Sequence, residues 1–428
     1  MSETNVNILV DHLFRHETGK MVSVLTRLLG FHSVDLAEDI VQDTLLKAMS
    51  AWKLNGVPEN PSAWLYTVAK RKAIDVIRQQ QVKQHHHSEI SRALQSEWTL
   101  SPTVNNLFLE NEVEDSQLRM IFACCHPSIP YEAQLALTLK TLCGLSAAEI
   151  ANSFLTNEET ITKRIYRARE KIKEENISLE VPVPAHIPGR IDAVLHSLYL
   201  LFNEGYNSSH PDQLIRQDLC EEAIRLCLLL TRNPLTNTPK SNALLALMCF
   251  QASRDNARIG DDGNIILLKD QDRSRWNKSL IERGRHYQNA SSEGDELSEY
   301  HIEAAIAGCH ADAASFKETN WEIIYKLYSI LLQFKPGPII ELNLAIATGY
   351  ALSPAEGLKA LEKISTLHNH YLYHAAKGDF LIETGEFNLA RESYEQALLL
   401  TPSSLEKKLL KLKIEALPPI SGSTINRA

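Results

Sequence analysis

Apolar residues recur at helical spacing along almost the whole chain, and three breaks in composition interrupt them. The first break, residues 79–103, is polar and contains a run of three glutamines and the run His85 to His87. The second, residues 181–188, holds three prolines in eight positions, which prevents a helix from continuing. The third is the tail that begins at Pro418. This pattern predicts an all-α protein whose domains lie between the breaks.

The size and charge of the chain limit the classes of protein to which it can belong. A chain of 428 residues exceeds what one hydrophobic core usually fills, so two or three domains are expected. Its net charge of -9 gives no general attraction to nucleic acid, so DNA binding would need local basic faces. The first fourteen residues contain no basic run followed by an apolar core, no apolar stretch reaches membrane-spanning length, and the seven cysteines have no paired spacing. We therefore expect a cytoplasmic protein with reduced thiols and no contact with a membrane.

The N-terminal part of the chain, from Asn7 to Arg78, is predicted to form four helices. One of them is amphipathic and acidic, because polar residues stand beside its apolar face. These polar residues are Glu38, Asp39, Gln42 and Asp43. A loop from Asn55 to Pro61 is predicted to follow this helix.

The helix after this loop, Trp64 to Arg78, begins with an aromatic residue and has a basic face. Its inward positions are Leu65, Val68, Ile74 and Ile77. Its outward positions are Lys70, Arg71, Lys72 and Arg78. A face of this kind suits phosphates and unstacked bases.

The segment from Tyr131 to Lys173 has the pattern of a helix-turn-helix. Ser146 with Glu149, and Thr156 with Glu159, fit the capping box, so two helix starts are predicted ten residues apart. The second helix is predicted to bury Ile161, Ile165, Ala168 and Ile172. The residues that this helix leaves facing outward are Thr160, Lys163, Arg164 and Arg167. This is the layout of a recognition helix that enters the major groove of DNA.

The C-terminal region, Arg190 to Leu417, is predicted to be mostly helical, and its last part contains a repeat signature. Small, aromatic and helix-ending residues have the offsets of a tetratricopeptide unit of about 34 residues. These residues are Gly378, Gly385, Ala390, Tyr394, Ala397 and Pro402. The segment Glu341 to Leu367 is interpreted as a degraded neighbour. Because one repeat cannot stand alone, preceding helices should stack on it.

Two ordered motifs make the chain similar to a known family. The run Ala37–Thr44, followed by Pro61–Leu65 and Ala73–Asp75, resembles region 2 of extracytoplasmic-function sigma factors of the sigma-70 family. The runs Gly144–Ala151 and Arg167–Arg169 resemble region 4 of the same family.

The resemblance extends beyond these two regions. Leu198–Tyr206 and Gln271–Trp276 look like the long extension of one subgroup, whose members end in tetratricopeptide-like helices. The implied organisation is region 2 at 7–81, a flexible linker at 82–112, region 4 at 113–176, a proline-rich linker at 177–189, a helical extension at 190–335 and repeats at 336–417.

The resemblance implies a sigma factor that recruits core RNA polymerase to promoter DNA, without enzymatic activity, cofactor or metal. Carboxylates of the acidic helix would bind the clamp helices of the largest core subunit. The core-binding residues are then Glu38, Asp39, Gln42 and Asp43. Those that hold the melted −10 strand are Asn55, Asn60, Trp64, Lys70, Arg71, Lys72 and Arg78. Those that read the −35 element are Glu159, Thr160, Thr162, Lys163, Arg164 and Arg167.

One departure from the family pattern and one hypothesis accompany this interpretation. Many relatives have Asn where Arg71 stands, so their base preference at −10 should not be transferred to this chain. The extension is fused to the same chain and is longer than the DNA-binding part, which suggests that it controls activity in place of a separate inhibitor. The repeats could also bind a protein partner, although packing on the DNA-binding domains is the alternative.

Other interpretations stay open at this point. A helix-turn-helix regulator that never binds the polymerase, and a tetratricopeptide scaffold with degenerate front domains, both fit parts of the pattern. Cys124-Cys125-His126 lacks a second ligand pair at zinc spacing, so no metal is expected there. The cluster Asp270, Asp272, Arg273, Arg275 and Trp276 is interpreted as an ion-pair network that fixes a loop. An enzyme in the extension would need a polar pocket around Arg273 and Trp276.

Overall fold

The computed structural model describes residues 3–83, 97–154, 156–208 and 214–419. These residues form α-helices and short 3-10 turns, and their one β-type pairing is a bridge between Ile259 and Ile265. The prediction of an all-α fold is confirmed. None of the helices in the described ranges is both long and apolar enough to cross a membrane.

The described residues divide into two compact units. The first unit contains those up to Glu204 together with Glu221–Thr236, and the second contains the rest. The helices of the first unit are α1 (Glu3–Leu29), α2 (Val34–Asn55), α3 (Pro61–Lys83), α4 (Glu97–Leu107), α5 (Glu110–Cys124), α6 (Tyr131–Thr141), α7 (Ala147–Ser153) and α8 (Glu158–Glu174). Most of α9 (Pro188–Tyr206) and α10 (Gln217–Arg232) belong to it as well.

The second unit contains a series of helices that pack mainly on their neighbours in the chain. They are α11 (Pro239–Ala252), α12 (Asp255–Arg258), α13 (Lys278–Ser291), α14 (Glu299–Asp312), α15 (Trp321–Phe334), α16 (Pro338–Ala351), α17 (Pro354–Glu362), α18 (Tyr371–Glu383), α19 (Phe387–Leu400) and α20 (Ser404–Glu415).

The N-terminal part differs from its prediction in helix number and in length. It has three long α-helices rather than four, because α1 runs unbroken to Leu29, where Gly30 at φ +90° ends it. The loop between Asn55 and Pro61 is confirmed by the end of α2 and the start of α3. Along the inward face of α3, Leu65, Val68 and Ile77 are buried and Ile74 is half-buried.

The predicted linker at 82–112 is largely wrong in its second half. The chain is helical over Glu97–Leu107 and again from Glu110, and Val104 and Phe108 are buried. Apolar side chains spaced four residues apart gain more by packing than a polar tether would by staying solvated. The histidine run His85 to His87 lies outside the described residues.

In the helix-turn-helix, the first predicted helix cap is confirmed, and the second lies one residue further along the chain than predicted. Ser146 Oγ accepts from the Glu149 amide at 3.2 Å, and Glu149 Oε2 accepts from the Ser146 amide at 2.7 Å, which confirms the first capping box. The second is wrong by one residue, because Asn157 caps α8 by accepting from the Thr160 amide at 2.9 Å. Asn caps a helix at least as well as Thr. The two helix starts are therefore Ala147 and Glu158.

The repeat region confirms the predicted stacking of paired helices. Tyr394 is fully buried beside Gly378, and its hydroxyl donates to Asp379 at 2.6 Å. The predicted degraded neighbour is the pair α16 and α17, in which Gly349 and Gly357 lie against the Phe380 ring. Small residues let these helices approach closely, so each pair packs on the next.

A single methyl group should disturb the first unit. A Cβ added at Gly19 of α1 would overlap the carbonyl oxygen of Leu142, which is backbone and cannot rotate away. We expect Gly19→Ala to lower the free energy of unfolding by about 2 kcal/mol, within the range of overpacked cores. Urea denaturation of the full chain measures this loss.

The matched control for this variant lies in the same unit. Gly189 is in the first turn of α9, and a Cβ there would meet no atom within 4 Å. Gly189→Ala should therefore leave stability unchanged or raise it slightly. Equal urea midpoints for both variants would contradict the packing of α1 against Leu142.

Candidate nucleic-acid and protein interfaces

The acidic face of α2 is only partly open to solvent. Asp39, Gln42 and Asp43 are exposed. Asp43 Oδ2 accepts from Lys72 Nζ at 2.7 Å, so one carboxylate of this face already has a basic neighbour. Because this pair is exposed, a partner could replace it at little cost.

Glu38 stands apart from the other predicted acidic residues, because its side chain is only 15% exposed. Both of its carboxylate oxygens accept from Nη2 of Arg169 on α8 at 2.8 Å. Arg169 Nη1 also donates to Asp35 Oδ1 at 2.6 Å, and Lys173 Nζ lies 3.5 Å from Asp35 Oδ2. Burial raises the pKa of the Glu38 carboxyl, and Arg169 opposes that rise. Glu38 therefore joins α2 to α8 and is not on the open surface.

Two apolar side chains extend the open part of the α2 face. Leu46 is 61% exposed and Met49 is 57% exposed. They follow the acidic residues at helical spacing, so Asp39, Gln42, Asp43, Leu46 and Met49 form one stripe, the α2 stripe. Sequence reasoning missed the two apolar members, although their spacing was a usable signal. A stripe with both charges and exposed apolar groups is typical of a surface that binds another protein.

The predicted basic face of α3 is divided between open and occupied side chains. Arg71 and Arg78 are exposed, and Arg78 Nη1 lies 4.0 Å from Asp75. Lys70 is half-buried, with its Nζ 5.2 Å from the centre of the Phe108 ring, and burial lowers its pKa. Lys72 pairs with Asp43. Arg71 and Arg78 are thus the most accessible cations of the predicted set.

The remaining residues of the predicted −10 set lie at the start of α3 and in the loop before it. Asn60 Oδ1 accepts from the Ala63 amide at 2.9 Å and so satisfies a free amide of the first turn. Asn55 ends α2 and is exposed. Trp64 is half-buried, with its ring centre 5.5 Å from that of Trp52 in an edge-on arrangement. Its remaining surface faces solvent beside the loop.

On α8, charged residues lie on the outward face and apolar residues on the inward face. The four predicted inward residues, Ile161, Ile165, Ala168 and Ile172, are all buried, which confirms that prediction. Lys163 and Arg167 are exposed, and Lys163 Nζ donates to Glu159 Oε1 at 2.6 Å. Arg164 is instead half-buried and ion-paired with Glu132 of α6.

Two hydroxyl groups of the predicted −35 set already donate hydrogen bonds to α8 or to its N-terminal cap. Thr160 Oγ1 donates to Asn157 Oδ1, and Thr162 Oγ1 donates to the Glu158 carbonyl, both at 2.9 Å. Tyr166, which sequence reasoning missed, is 65% exposed between Lys163 and Arg167. Lys163, Tyr166 and Arg167 are therefore open to solvent on this face, and so is Glu159, whose side chain is 76% exposed.

The cysteine and histidine residues at the end of α5 have no arrangement suited to a metal. Cys124 and Cys125 are buried, and burial raises the pKa of each thiol, that of Cys125 to about 12. Thiols of this kind are poor metal ligands and poor nucleophiles. In the part of the chain that the structure describes, no group of three or more His, Cys, Asp or Glu side chains could hold a metal ion.

The helices that carry the α2, α3 and α8 faces lie in two segments that match established protein families. Residues 13–82 match sigma-70 region 2, and residues 119–172 match sigma-70 region 4. The chain belongs to the sigma-70 family. It is an RNA polymerase sigma factor, and families of this kind bind core polymerase and promoter DNA rather than catalyse a reaction. Residues 190–292 match a family of unknown function, and residues 336–419 match a tetratricopeptide repeat-like domain.

Known relatives cover the sigma factor to different extents. An uncharacterized protein of Rhizobium meliloti is 32% identical over 390 residues, which are 90% of this chain and 91% of that protein. The ECF RNA polymerase sigma-E factor of Haemophilus influenzae is 26% identical over 158 residues, 36% of this chain and 81% of its own. RNA polymerase sigma factor SigV of Bacillus subtilis is 27% identical over 148 residues, 34% of this chain and 80% of its own. No solved structure matches the chain significantly.

Proposed function

We propose that this sigma factor binds core polymerase through the α2 stripe, holds the melted −10 strand with α3 and reads the −35 element with α8. The observation that carries the core-binding part is the exposure of Asp39, Gln42 and Asp43 next to the exposed Leu46 and Met49. Acidic groups can pair with basic residues of a partner, while the apolar pair provides surface to bury. In the free chain Glu38 does not belong to this exposed stripe, because Arg169 of α8 binds it.

The experiment that tests the core-binding proposal is co-purification of the full chain with core RNA polymerase. We expect a stable complex with wild-type protein. A chain that binds duplex DNA tightly by itself and does not bind core polymerase would instead fit an ordinary DNA-binding regulator. A scaffold role predicts neither interaction.

For −10 binding, the exposed Arg71 and Arg78 on α3 are the best candidates for contacts to the strand backbone. Trp64 and the loop before it would hold a base that has left the stack, since aromatic faces stack on bases of any sequence. Lys70 and Lys72 contribute less in this proposal, because one lies on the Phe108 ring and the other pairs with Asp43.

For −35 recognition, the exposed side chains on the outward face of α8 should make the base and phosphate contacts. We expect the double variant Lys163→Ala/Arg167→Ala to reduce promoter-directed transcription by about 30-fold or more, since each base or phosphate contact contributes roughly 1–3 kcal/mol. Promoters can be found by sequencing run-off transcripts that the reconstituted holoenzyme makes from fragmented genomic DNA.

A matched control removes two exposed lysines elsewhere. Lys326 and Lys359 each pair with a glutamate on their own helix, as Lys163 does. Lys326→Ala/Lys359→Ala should retain wild-type transcription. If the α8 variant binds core polymerase and transcribes as the control does, α8 does not read the promoter.

We further propose that the start of the extension regulates the sigma factor by holding regions 2 and 4 together. Within the first unit, α10 reaches both regions. Glu222 Oε2 lies 2.9 Å from His16 Nδ1 on α1, and Arg225 Nη1 donates to Gln117 Oε1 on α5 at 3.0 Å. The hydroxyl of Tyr131 on α6 is 2.6 Å from Nδ1 of His196 on α9. These contacts support a clasp formed by α9 and α10.

Promoter geometry indicates why such a clasp would restrain activity. The −10 and −35 elements are about 25 base pairs apart, or roughly 85 Å along B-DNA at about 3.4 Å per base pair. In the free chain, however, α8 is joined to α2 by the ion pairs of Arg169 with Asp35 and Glu38. Helices in direct contact cannot engage both elements, so α8 has to separate from α2 before the promoter is bound. Regulation would then act on this separation.

A further inference from the structure

The second unit contains a cavity of about 340 Å³, a size typical of sites for small organic ligands. Its walls come from α12 with the residue before it, from the loop after α12, and from helices α16, α18 and α20. Asn207 and Leu214, between α9 and α10, also line it. Much of the lining is apolar and includes Leu267, Leu342, Ile346, Ala376 and Leu410. The cavity therefore suits a molecule with an apolar body.

The acidic residues on one side of this cavity already have partners. Asp379 Oδ1 accepts from the Tyr394 hydroxyl at 2.6 Å and from Lys413 Nζ at 2.7 Å. Glu406 accepts from the hydroxyls of Tyr371 and Thr401, both at 2.7 Å. These carboxylates are satisfied by residues of α18 to α20, and neither of them forms an ion pair with Arg254.

The segment between α11 and α12 contributes an arginine for which no ion pair is found among the described residues. Arg254 lines the cavity, and its Nε donates to Gln271 Oε1 at 3.4 Å. No carboxylate of the described residues lies within ion-pair distance of Arg254 or of the neighbouring Arg273. Both guanidinium groups lie near the Trp276 ring, at 5.5 Å and 4.1 Å from its centre. Two cations thus lie close together, and neither forms an ion pair with a carboxylate in the described part of the chain.

Arg273 and the neighbouring His310 both have lowered pKa values. Burial, together with Arg254, lowers the pKa of Arg273 to about 10. Burial and both arginines lower the pKa of His310 to about 3. Near Arg254, but outside the set of residues that line the cavity, buried polar atoms lack a hydrogen-bond partner. They are Arg273 Nε and Nη2, Trp276 Nε1 and His310 Nδ1. Such groups are costly unless charge or hydrogen bonds compensate them.

We propose that this cavity binds a small organic anion, a carboxylate or phosphate ester with an apolar body, whose charged group pairs with Arg254. Gln271 is buried and orients the Arg254 guanidinium from the side. The apolar body would lie against α16 and α18. The ligand would thereby connect the part of the extension that matches the family of unknown function with the repeat-like domain. Its binding should stabilise the second unit, because it favours the folded state.

Isothermal titration of the full chain with phenyl phosphate, benzoate and the neutral benzyl alcohol tests this proposal at constant ionic strength. We expect at least one of the two anions to bind, and benzyl alcohol to bind more weakly. The stronger anion identifies the preferred head group. Arg254→Gln should weaken its binding by about tenfold or more, and Arg254→Lys should weaken it less.

The matched control is Arg285→Gln, because Arg285 is an exposed arginine paired with Asp312 outside the cavity. It should bind the anion like wild type, and circular dichroism should show that all variants remain folded. Two results would overturn the proposal. They are the absence of binding by both anions at about 10 mM, where a millimolar site would be mostly filled, and equal affinity in the Arg254→Gln variant.

Discussion

Replacing Asp39 and Asp43 together by alanine should weaken the complex with core RNA polymerase by about 100-fold. Each carboxylate can accept a charge-assisted hydrogen bond, which contributes about 1.5 kcal/mol, and every 1.4 kcal/mol changes Kd about tenfold. Both side chains are exposed, and the pair that Asp43 makes with Lys72 is an exposed one. The fold should therefore keep its stability, within roughly 1 kcal/mol.

The control for this prediction removes the same charge from the other end of the chain. Glu392 and Glu395 are exposed on α19, so Glu392→Ala/Glu395→Ala has the same net charge as the core-binding variant. Titration of labelled sigma factor with core polymerase measures both affinities. Equal affinities would mean that these two carboxylates of the α2 stripe do not carry core binding.

Reversing the charge of Arg169 should open the contact between α8 and α2. The lost ion pairs and the new repulsion from Glu38 and Asp35 should shift the balance between closed and open forms by about 2 kcal/mol, or about 30-fold. This value is discounted from the roughly 3–5 kcal/mol of a fully buried pair, because 18% of Arg169 and 46% of Asp35 remain exposed. If opening limits core binding, Arg169→Glu should bind core polymerase up to about 30-fold more tightly.

The opening can be measured by energy transfer between dyes on Lys53→Cys and Glu158→Cys, which are exposed positions on α2 and α8. Six of the seven native cysteines are buried, and Cys309 is half-buried, so Cys309→Ser leaves only slow background labelling. Transfer should fall in Arg169→Glu, and in the wild-type chain when core polymerase is added.

Lys171→Glu serves as the matched control, because it changes the same charge on the same helix. Lys171 pairs with Glu174 at the end of α8 and with Glu175 just beyond it, and it forms no ion pair with α2 in the described part of the chain. Its transfer should equal that of wild type. Unchanged transfer in Arg169→Glu would rule out the contact between α8 and α2 as a restraint in solution.

Residues near each other in the chain were predicted well. The buried face of α8 follows from residues three and four positions apart, and the cap at Ser146 follows from one hydroxyl and one carboxylate three residues later. The cap at Thr156 failed because Asn157 competes for the same role, and local patterns do not rank two good caps.

The arginine cluster in the extension shows where charge patterns mislead. Alternating acidic and basic residues from Asp270 to Arg275 predicted a network of ion pairs. Arg275 does pair with Asp261, and Asp272 caps the turn that begins at Arg273. Arg273 instead lies on the Trp276 ring and donates to the His310 carbonyl. The prediction is therefore wrong for this residue, because side chains adjacent in sequence point in different directions.

The sequence by itself determined the helical fold, the order of its regions and membership of the sigma-70 family, since all of these depend on local spacing and on motifs. Only the tertiary structure decided which charged side chains remain available. Glu38 and Asp39 are neighbours on an acidic helix, yet Glu38 is bound by Arg169, which lies 131 residues away, while Asp39 is exposed. A charge is occupied or open according to what packs beside it, and no local pattern encodes a partner that distant.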